Sequence, residues 1–554
     1  MESFRGYGKS DLSEDQDFRR KARKRLLIII VSTLILLAVI IGAVAGTVIH
    51  KTNKNSGEQP PPTSSQLSSA QSTRAVCSQT LYPQSCYSSI TAIDKSNTTD
   101  PEDLFKLSLQ VAFDSLSGLS SLPETLMKTT HDENDNEALE VCRTVLNDAV
   151  DDLRDSISAM DVKSGEKVLS EKKIDDLRTW LSAALTNQET CLDTLEEMNS
   201  KLLEEVKSQM QNSKEYTSNS LAIVSKILKI LENLDIPIHR KLLGEVKSGF
   251  PRWVGRGDRR LLQVEKKPTP NVTVAGDGSG DVLTINEAMA MVPLKSKKRF
   301  VIYVKEGEYV ENVVLSKSFW NVMVYGDGMD KSIVSGSLNK IDGVATFNTA
   351  TLGVSGKGFM AMDMGFKNTA GGAKEQAVAM RSSSDFSVFY RCSFDAFQDT
   401  LYPHSHRQFY RDCTVTGTVD FIFGNSAVVL QNCKIMPRQP LPNQFVTITA
   451  QGKKDPNENS GISIHKCDLT TPLDNLTAPT YLGRPWKDYS TTVVMESSIG
   501  GFLHPLGWAE WVKGVEPPAS IFYAEYMNSG EGAAVEKTGG MGWLSAEVDR
   551  SSGG

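Results

Sequence analysis

The sequence predicts a mixed, multidomain chain: an N-terminal membrane anchor, an all-α four-helix bundle and an all-β solenoid of parallel strands. Three observations predict it. Leu26 to Ile49 is an uncharged run, apolar residues recur at helical spacing between 77 and 234, and a quasi-repeat of 20 or 21 residues runs through the C-terminal half. At 554 residues the chain also exceeds what one hydrophobic core usually organises.

Residues 1–25 form a tail that ends in Arg19, Arg20, Lys21, Arg23, Lys24 and Arg25, and residues 26–49 carry no charge over 24 positions. Such a run is long enough to cross a bilayer. The basic flank keeps the tail cytoplasmic and sends the remainder into the secretory lumen, so a membrane is the expected partner of the precursor. A long, cleaved signal peptide is the alternative reading of the same run. Sequons at Asn97, Asn271 and Asn475 fit a lumenal path. An oxidising compartment would also let the eight cysteines pair.

Residues 50–76 are rich in Ser, Gln, Thr and Pro and read as a flexible linker. From 77 to 234, Leu104, Leu107, Leu109 and Val111, then Leu146, Val150, Leu153 and Ile157, lie near helical spacing and predict amphipathic helices that pack as a bundle. Cys77, Cys86, Cys142 and Cys191 can tie it together in three ways. Residues 235–262 are basic and irregular, with Arg240-Lys241-Leu242-Leu243 and then Arg259-Arg260-Leu261-Leu262. A dibasic pair in an exposed linker is open to a lumenal processing protease, and a merely solvated basic linker is the other reading.

From 263 to 554, short runs such as Phe300-Val301-Ile302-Tyr303-Val304 are broken by Gly, Asn and Asp turns, the texture of strands. Phe389-Tyr390-Arg391-Cys392, Phe409-Tyr410-Arg411-Asp412-Cys413 and Leu430-Gln431-Asn432-Cys433 then follow one another at near-constant spacing. A solenoid would place such equivalent positions about 4.8 Å apart; a sandwich is the alternative. On the solenoid reading Asp399 and Asp420, 21 residues apart, become neighbours on one face, and Gln376 lies 22 residues before Gln398. Closely apposed carboxylates resist double ionisation, so one is expected to act as an acid and the other as a nucleophile or base.

Other chemistries fit less well. His404 and His406 lack a third ligand and a Gly-x-Ser-x-Gly partner, so both read as structural. No acidic cluster suits calcium, and a net charge of -7 without a basic, aromatic-studded face disfavours nucleic acid. Paired carboxylates could cleave a glycosidic bond, but two amide donors suit a carbonyl oxyanion better.

Gly307-Glu308-Tyr309-Val310-Glu311, Gln376-Ala377-Val378-Ala379, Gln398-Asp399-Thr400-Leu401-Tyr402, Asp420-Phe421-Ile422-Phe423-Gly424-Asn425 and Leu482-Gly483-Arg484-Pro485-Trp486, in this order, resemble the pectin methylesterase family. The resemblance implies a right-handed parallel β-helix and an ester hydrolysis that uses water and neither metal nor cofactor. In it Asp420 is the nucleophile, Asp399 the proton donor and later the base, and Gln398 and Gln376 stabilise the oxyanion. Arg484 would aim Asp420, while Thr346, Gln376, Arg484 and Trp486 would touch methyl-esterified homogalacturonan, with Tyr402 and Phe421 as further aromatic candidates. Met380 and Ala396-Phe397 depart from the family pattern without removing a catalytic group.

Residues 77 to about 232 resemble the plant invertase and pectin methylesterase inhibitor family. That resemblance implies pairing of Cys77 with Cys86 and of Cys142 with Cys191. It also implies a pro-region that restrains the esterase until a subtilisin-like protease cuts at Arg-Arg-Leu-Leu, or one that only assists folding and export. A proteinaceous inhibitor is a candidate partner, and the cell wall the expected destination. Among Cys392, Cys413, Cys433 and Cys467, a Cys413–Cys433 bridge is feasible across one coil, and the family resemblance also suggests Cys433 with Cys467.

Overall fold

The computed structural model describes residues 68–533 apart from 96, 162–168, 234–249, 264–266 and 472–475. The anchor segment 26–49, the Arg240-Lys241-Leu242-Leu243 copy and Asn475 lie outside the described residues. Among the described residues no helix is long and apolar enough to cross a membrane.

The N-terminal half is helical: α1 (Ser69–Cys77), α2 (Pro83–Ile93), α3 (Pro101–Leu119), α4 (Leu122–Met127), α5 (Glu133–Met160), α6 (Glu171–Glu197) and α7 (Leu203–Asn233). Local chemistry sets where they start. Pro101 opens α3 behind an Asp100 cap, and Asp132 and Ser170 cap α5 and α6 by accepting first-turn N–H groups. The four long helices α3, α5, α6 and α7 bury Leu104, Leu109, Leu139, Leu146, Leu153, Leu177, Leu181, Leu195 and Leu221 between them. Cys77–Cys86 ties the end of α1 to the first turn of α2, and Cys142–Cys191 ties α5 to α6.

The C-terminal half is a parallel β-helix of three sheets, with ten, eight and seven strands. Successive strands pass from sheet to sheet, and every strand pairing is parallel, for example Met380↔Leu401 and Leu401↔Ile422 in the seven-stranded sheet. Phe389 stacks on Tyr410 at 4.6 Å and Phe366 on Phe394 at 5.8 Å inside the coil. The repeat thus aligns Phe389 with Tyr410 and Leu430, in the register that Cys392, Cys413 and Cys433 set. The turn from the ten-stranded to the eight-stranded sheet repeats a left-handed residue on successive coils: Asp363, Arg391, Asp412, Asn432, Lys466, Glu496 and Met527.

Two expectations are overturned. Cys413 and Cys433 are not bridged; with Cys392 and Cys467 they stack as buried free thiols. Each of Cys413, Cys433 and Cys467 turns its thiol to a main-chain carbonyl: Cys413 to Phe389 O (3.4 Å), Cys433 to Gln431 O (3.3 Å) and Cys467 to Leu430 O (3.4 Å). The Arg259-Arg260-Leu261-Leu262 stretch is also not irregular; it lies in helix α8 (Arg256–Gln263). Phe250, Val254 and Leu262 pack there against Val301, Met323, Met360, Val388 and Phe409 of the ten-stranded sheet. Arg259 donates to Val254 O at 2.8 Å and Pro251 O at 3.0 Å, and Asp258 pairs with Arg299 at 2.8 Å. Apolar burial thus gives structure to a segment whose composition reads as a linker. Short helix α9 (Ile285–Ala290) lies near the start of the β-helix, opened by a Thr284/Glu287 capping box.

Of the sequons, Asn97 and Asn271 are exposed, and Asn271 Oδ1 accepts the Val301 N–H at 2.8 Å.

Candidate active site

The seven-stranded sheet builds the site because neighbouring coils deliver their residues in register. Gln376 and Gln398 face each other across a parallel bridge just ahead of the strands Met380–Ser382 and Leu401–Pro403. Asp399 and Asp420 occupy the matching lead-ins one coil apart, with the Asp399 N–H donating to Val419 O at 3.1 Å. Both aspartates adopt left-handed backbone, φ 63° and 50°. Non-glycine residues pay about 1–3 kcal/mol for such a conformation, which persists only where the surroundings enforce it. Here the ladder on either side enforces it.

Arg484 follows the strand Thr480–Gly483 and grips Asp420 with two nitrogens, Nε to Oδ1 at 2.9 Å and Nη2 to Oδ2 at 2.6 Å. Thr447 completes the hold: its hydroxyl accepts the Asp420 N–H at 2.8 Å and donates to Oδ1 at 2.5 Å. Burial, then the Asp420 and Glu197 carboxylates, push Asp399 well above the usual carboxylate range. The site thus sets a carboxyl that favours its proton beside one held in an ion pair. Gln376 Oε1 is buried without a hydrogen-bond partner among the described residues. The two aspartates, both glutamines, Arg484, Thr346, Tyr402 and Trp486 line one cleft of about 470 Å³. Among the described residues no group of His, Cys, Asp and Glu is arranged to hold a metal ion.

The Pectinesterase family model matches residues 271–551, and the Plant invertase/pectin methylesterase inhibitor model matches residues 71–223. "Pectinesterase 1" of Arabidopsis thaliana is 59% identical over 97% of this chain and 92% of its own length. "Pectinesterase 3" of Phaseolus vulgaris is 57% identical over the same shares. The chain belongs to the pectinesterase family. It is a carboxylic ester hydrolase with an inhibitor-like helical domain in front. Among solved structures, the pectin methylesterase from carrot shares 49% identity over 50% of this chain and 87% of its own, with a TM-score of 0.47.

In this pectinesterase the helical domain lies over the cleft. One stripe of α6 makes the contact, because 182, 186, 190, 193 and 197 fall on a single helical face. Asn459 N–H donates to Ser182 Oγ (2.9 Å), Asn425 Nδ2 to Thr186 Oγ1 (2.9 Å), and Thr190 Oγ1 meets His404 Nε2 (2.8 Å). Lys487 Nζ then donates to Asp193 Oδ1 at 2.5 Å, and the Thr346 N–H and hydroxyl donate to Glu197. Helix α5 adds Asp152, which takes Lys317 at 2.6 Å and faces His406 at 3.1 Å, and α7 adds Ser218 against Asp455. The two histidines expected to be structural thus sit in the contact between the halves. Burial, with Arg381 and His406, pushes His404 well below its usual value.

The pectinesterase motif predicts most of the cleft but not all of it. Phe421 is wholly buried in the coil interior, so it is packing and not a sugar platform. Trp486 is half-buried in the cleft wall, where Gly452 lets it lie close: a Cβ there would come within 2.8 Å of the indole. Tyr402 stacks on Phe423 at 4.1 Å. The sequence does not point to Trp511, Lys340 and Lys487 in the cleft wall, nor to Thr447 behind Asp420. Lys487 had a signal, standing next to Trp486; Thr447 had none, since its role depends on which strand falls beside Asp420.

Proposed function

We propose that the chain is an exported pectin methylesterase precursor that hydrolyses methyl esters of homogalacturonan. Asp420 Oδ adds to the ester carbonyl of a methyl-galacturonate unit, and Gln376 and Gln398 donate amide hydrogens to the oxyanion, a contribution often near 3 kcal/mol per donor. Collapse breaks the bond to methoxide, which takes the Asp399 proton and leaves as methanol. Water then adds to the acyl carbon, Asp399 takes its proton, and the galacturonate carboxylate and free Asp420 are released. Arg484 aims Asp420, while Thr346 and Trp486 hold the sugar. The Arg484–Asp420 pair beside a proton-bearing Asp399 carries this reading.

The chain divides, on this reading, into a cytoplasmic tail (1–25), signal-anchor (26–49), linker (50–76), inhibitor-like pro-region (77–234), processing segment (235–262) and esterase (263–554). With Glu197 on Thr346 and Asp193 on Lys487, the pro-region closes the cleft to a polymer. Cleavage at Arg259-Arg260-Leu261-Leu262 by a subtilisin-like lumenal protease would free the esterase for the cell wall. Methanol release from highly methylated pectin tests the reading: processed protein should be active, the uncleaved chain and Asp420→Asn inactive. Shortened polymer without methanol would overturn it.

A further inference from the structure

Thr447 stands where the coil repeat continues the line of the two aspartates. Leu401 pairs with Ile422 and Ile422 with Thr449, so the positions two residues earlier, Asp399, Asp420 and Thr447, follow one another on three successive coils. The two aspartates are both left-handed but differ in how their N–H groups are met. That of Asp399 reaches the main chain of the next coil, Val419 O at 3.1 Å, whereas that of Asp420 reaches the Thr447 hydroxyl at 2.8 Å. A buried N–H without a partner is costly, so this hydroxyl helps to hold Asp420 in its left-handed conformation. The same oxygen donates its one proton to Asp420 Oδ1 at 2.5 Å, beside Arg484 Nε. Main-chain bonds fix where it stands, since Thr447 N–H donates to Thr418 O at 3.2 Å and Thr447 O accepts from Phe421 N–H at 3.3 Å. Thr447 is wholly buried, so it acts through Asp420 and not on the polymer.

Resting on the esterase reading above, we propose that Thr447 is a positioning residue of the reaction, and that its hydroxyl serves both half-reactions. A donor on a resting carboxylate by itself lowers the reactivity of that carboxylate, so the gain in the first half-reaction is aim. With Oδ1 tied to Thr447 and Arg484, the carboxylate plane is fixed towards the ester carbonyl. In the second half-reaction water adds to the acyl carbon and gives its proton to Asp399, the bond from that carbon to Asp420 Oδ breaks, and the electron pair returns to Asp420. Thr447 keeps its proton throughout and donates it to the carboxylate as that charge returns, where a preformed donor is worth most.

The test uses full-length protein after natural processing, as wild type, Thr447→Val, Thr447→Ser and Thr447→Cys, with matched melting curves. Valine keeps the shape without the hydroxyl, serine keeps the hydroxyl, and cysteine keeps the size with a weak donor. On highly methylated pectin, Thr447→Val should lower kcat about 10- to 100-fold, one hydrogen bond to a charged group expressed as a rate, with KM within about twofold. Thr447→Ser should recover most of the loss, and Thr447→Cys should not. Because both residues grip one carboxylate, Thr447→Val combined with Arg484→Lys should lose less than the product of the two single losses. Wild-type kcat in Thr447→Val, a loss shared equally by Thr447→Ser, or a change confined to KM would overturn the proposal. Should Thr447→Val not fold, the contrast between the serine and cysteine variants decides it. If wild type released no methanol the esterase reading would fail instead. Hydrogen exchange at the Asp420 amide, slow in wild type and Thr447→Ser but fast in Thr447→Val, would then still decide whether Thr447 holds this residue, and equal exchange would overturn that hold.

Discussion

Arg484 and Asp420 form a two-point ion pair, Nε to Oδ1 at 2.9 Å and Nη2 to Oδ2 at 2.6 Å, across three strands of one sheet. A guanidinium presents two parallel donors in a fixed plane, which an ammonium cannot. Arg484→Lys should keep the positive charge and lose the aim of the carboxylate. Methanol release by the processed enzyme should fall about 100-fold in kcat, the scale of a 1 Å misplacement of a reacting group. A drop confined to KM would mean that Arg484 only binds substrate.

Gly452→Ala tests the wall of the cleft. The new methyl would lie 2.8 Å from Trp486 Cε3 and must push the indole away. Steady-state kinetics on pectin should show KM raised several-fold with the catalytic groups untouched. An unchanged KM would remove Trp486 from the substrate contacts.

Docking of the helical bundle should depend on pH. Burial raises Asp193 and Glu197, against the pull of Lys487 on the first and of Thr346 and Lys340 on the second. Burial likewise pushes Asp148 up to about 6, opposed by Lys317, Arg381 and His406. A carboxyl that binds its proton more tightly when docked makes docking tighter as pH falls. The gain should appear as pH drops from about 6 towards the ordinary carboxylate value of 3.8. Asp152 and His404 act in the opposite sense: burial raises Asp152 but Lys317 and His406 outweigh that and lower it, burial lowers His404, and protonating either weakens docking. Gel filtration of the cleaved chain should show bundle and esterase together near pH 5 and apart near pH 7.5, with the difference reduced in Asp148→Asn. Co-elution that is the same at both values would contradict this.

Processing should be limited by opening of α8. A protease needs extended chain, whereas Arg259 and Arg260 sit in a helix anchored by Phe250, Val254 and Leu262. Phe250→Ala removes an anchor outside the scissile stretch and should weaken the packing by about 3–5 kcal/mol. Limited proteolysis should then cut between 259 and 262 markedly faster than in wild type, with the melting temperature of the β-helix retained. Equal cleavage rates would show that the helix is no barrier.

Much of the β-helix was legible because its physics is periodic. In-register parallel stacking demands similar coil lengths, so Asp399 and Asp420 at 21 residues, and the cysteines Cys392, Cys413 and Cys433, announce their neighbours in the chain itself. The cysteine register carries over to the strands before it, setting Phe389 beside Tyr410 and Tyr410 beside Leu430. The sequence leaves the pairing of Cys413, Cys433 and Cys467 open, since closeness permits a bridge but does not require it, and here the thiols turn to backbone carbonyls.

By itself the sequence determined that this chain has a helical front half and a coiled parallel-strand rear half, and that two aspartates and two glutamines about one coil apart share one face, since each follows from short-range pattern. Only the tertiary structure decided that α6 lies across that site, that Glu197 meets Thr346 and Asp193 meets Lys487, and that the processing stretch is a packed helix. Those contacts join residues separated by as many as 294 positions. No local periodicity encodes such a pairing; it arises when two folded surfaces bury complementary charge and shape against each other.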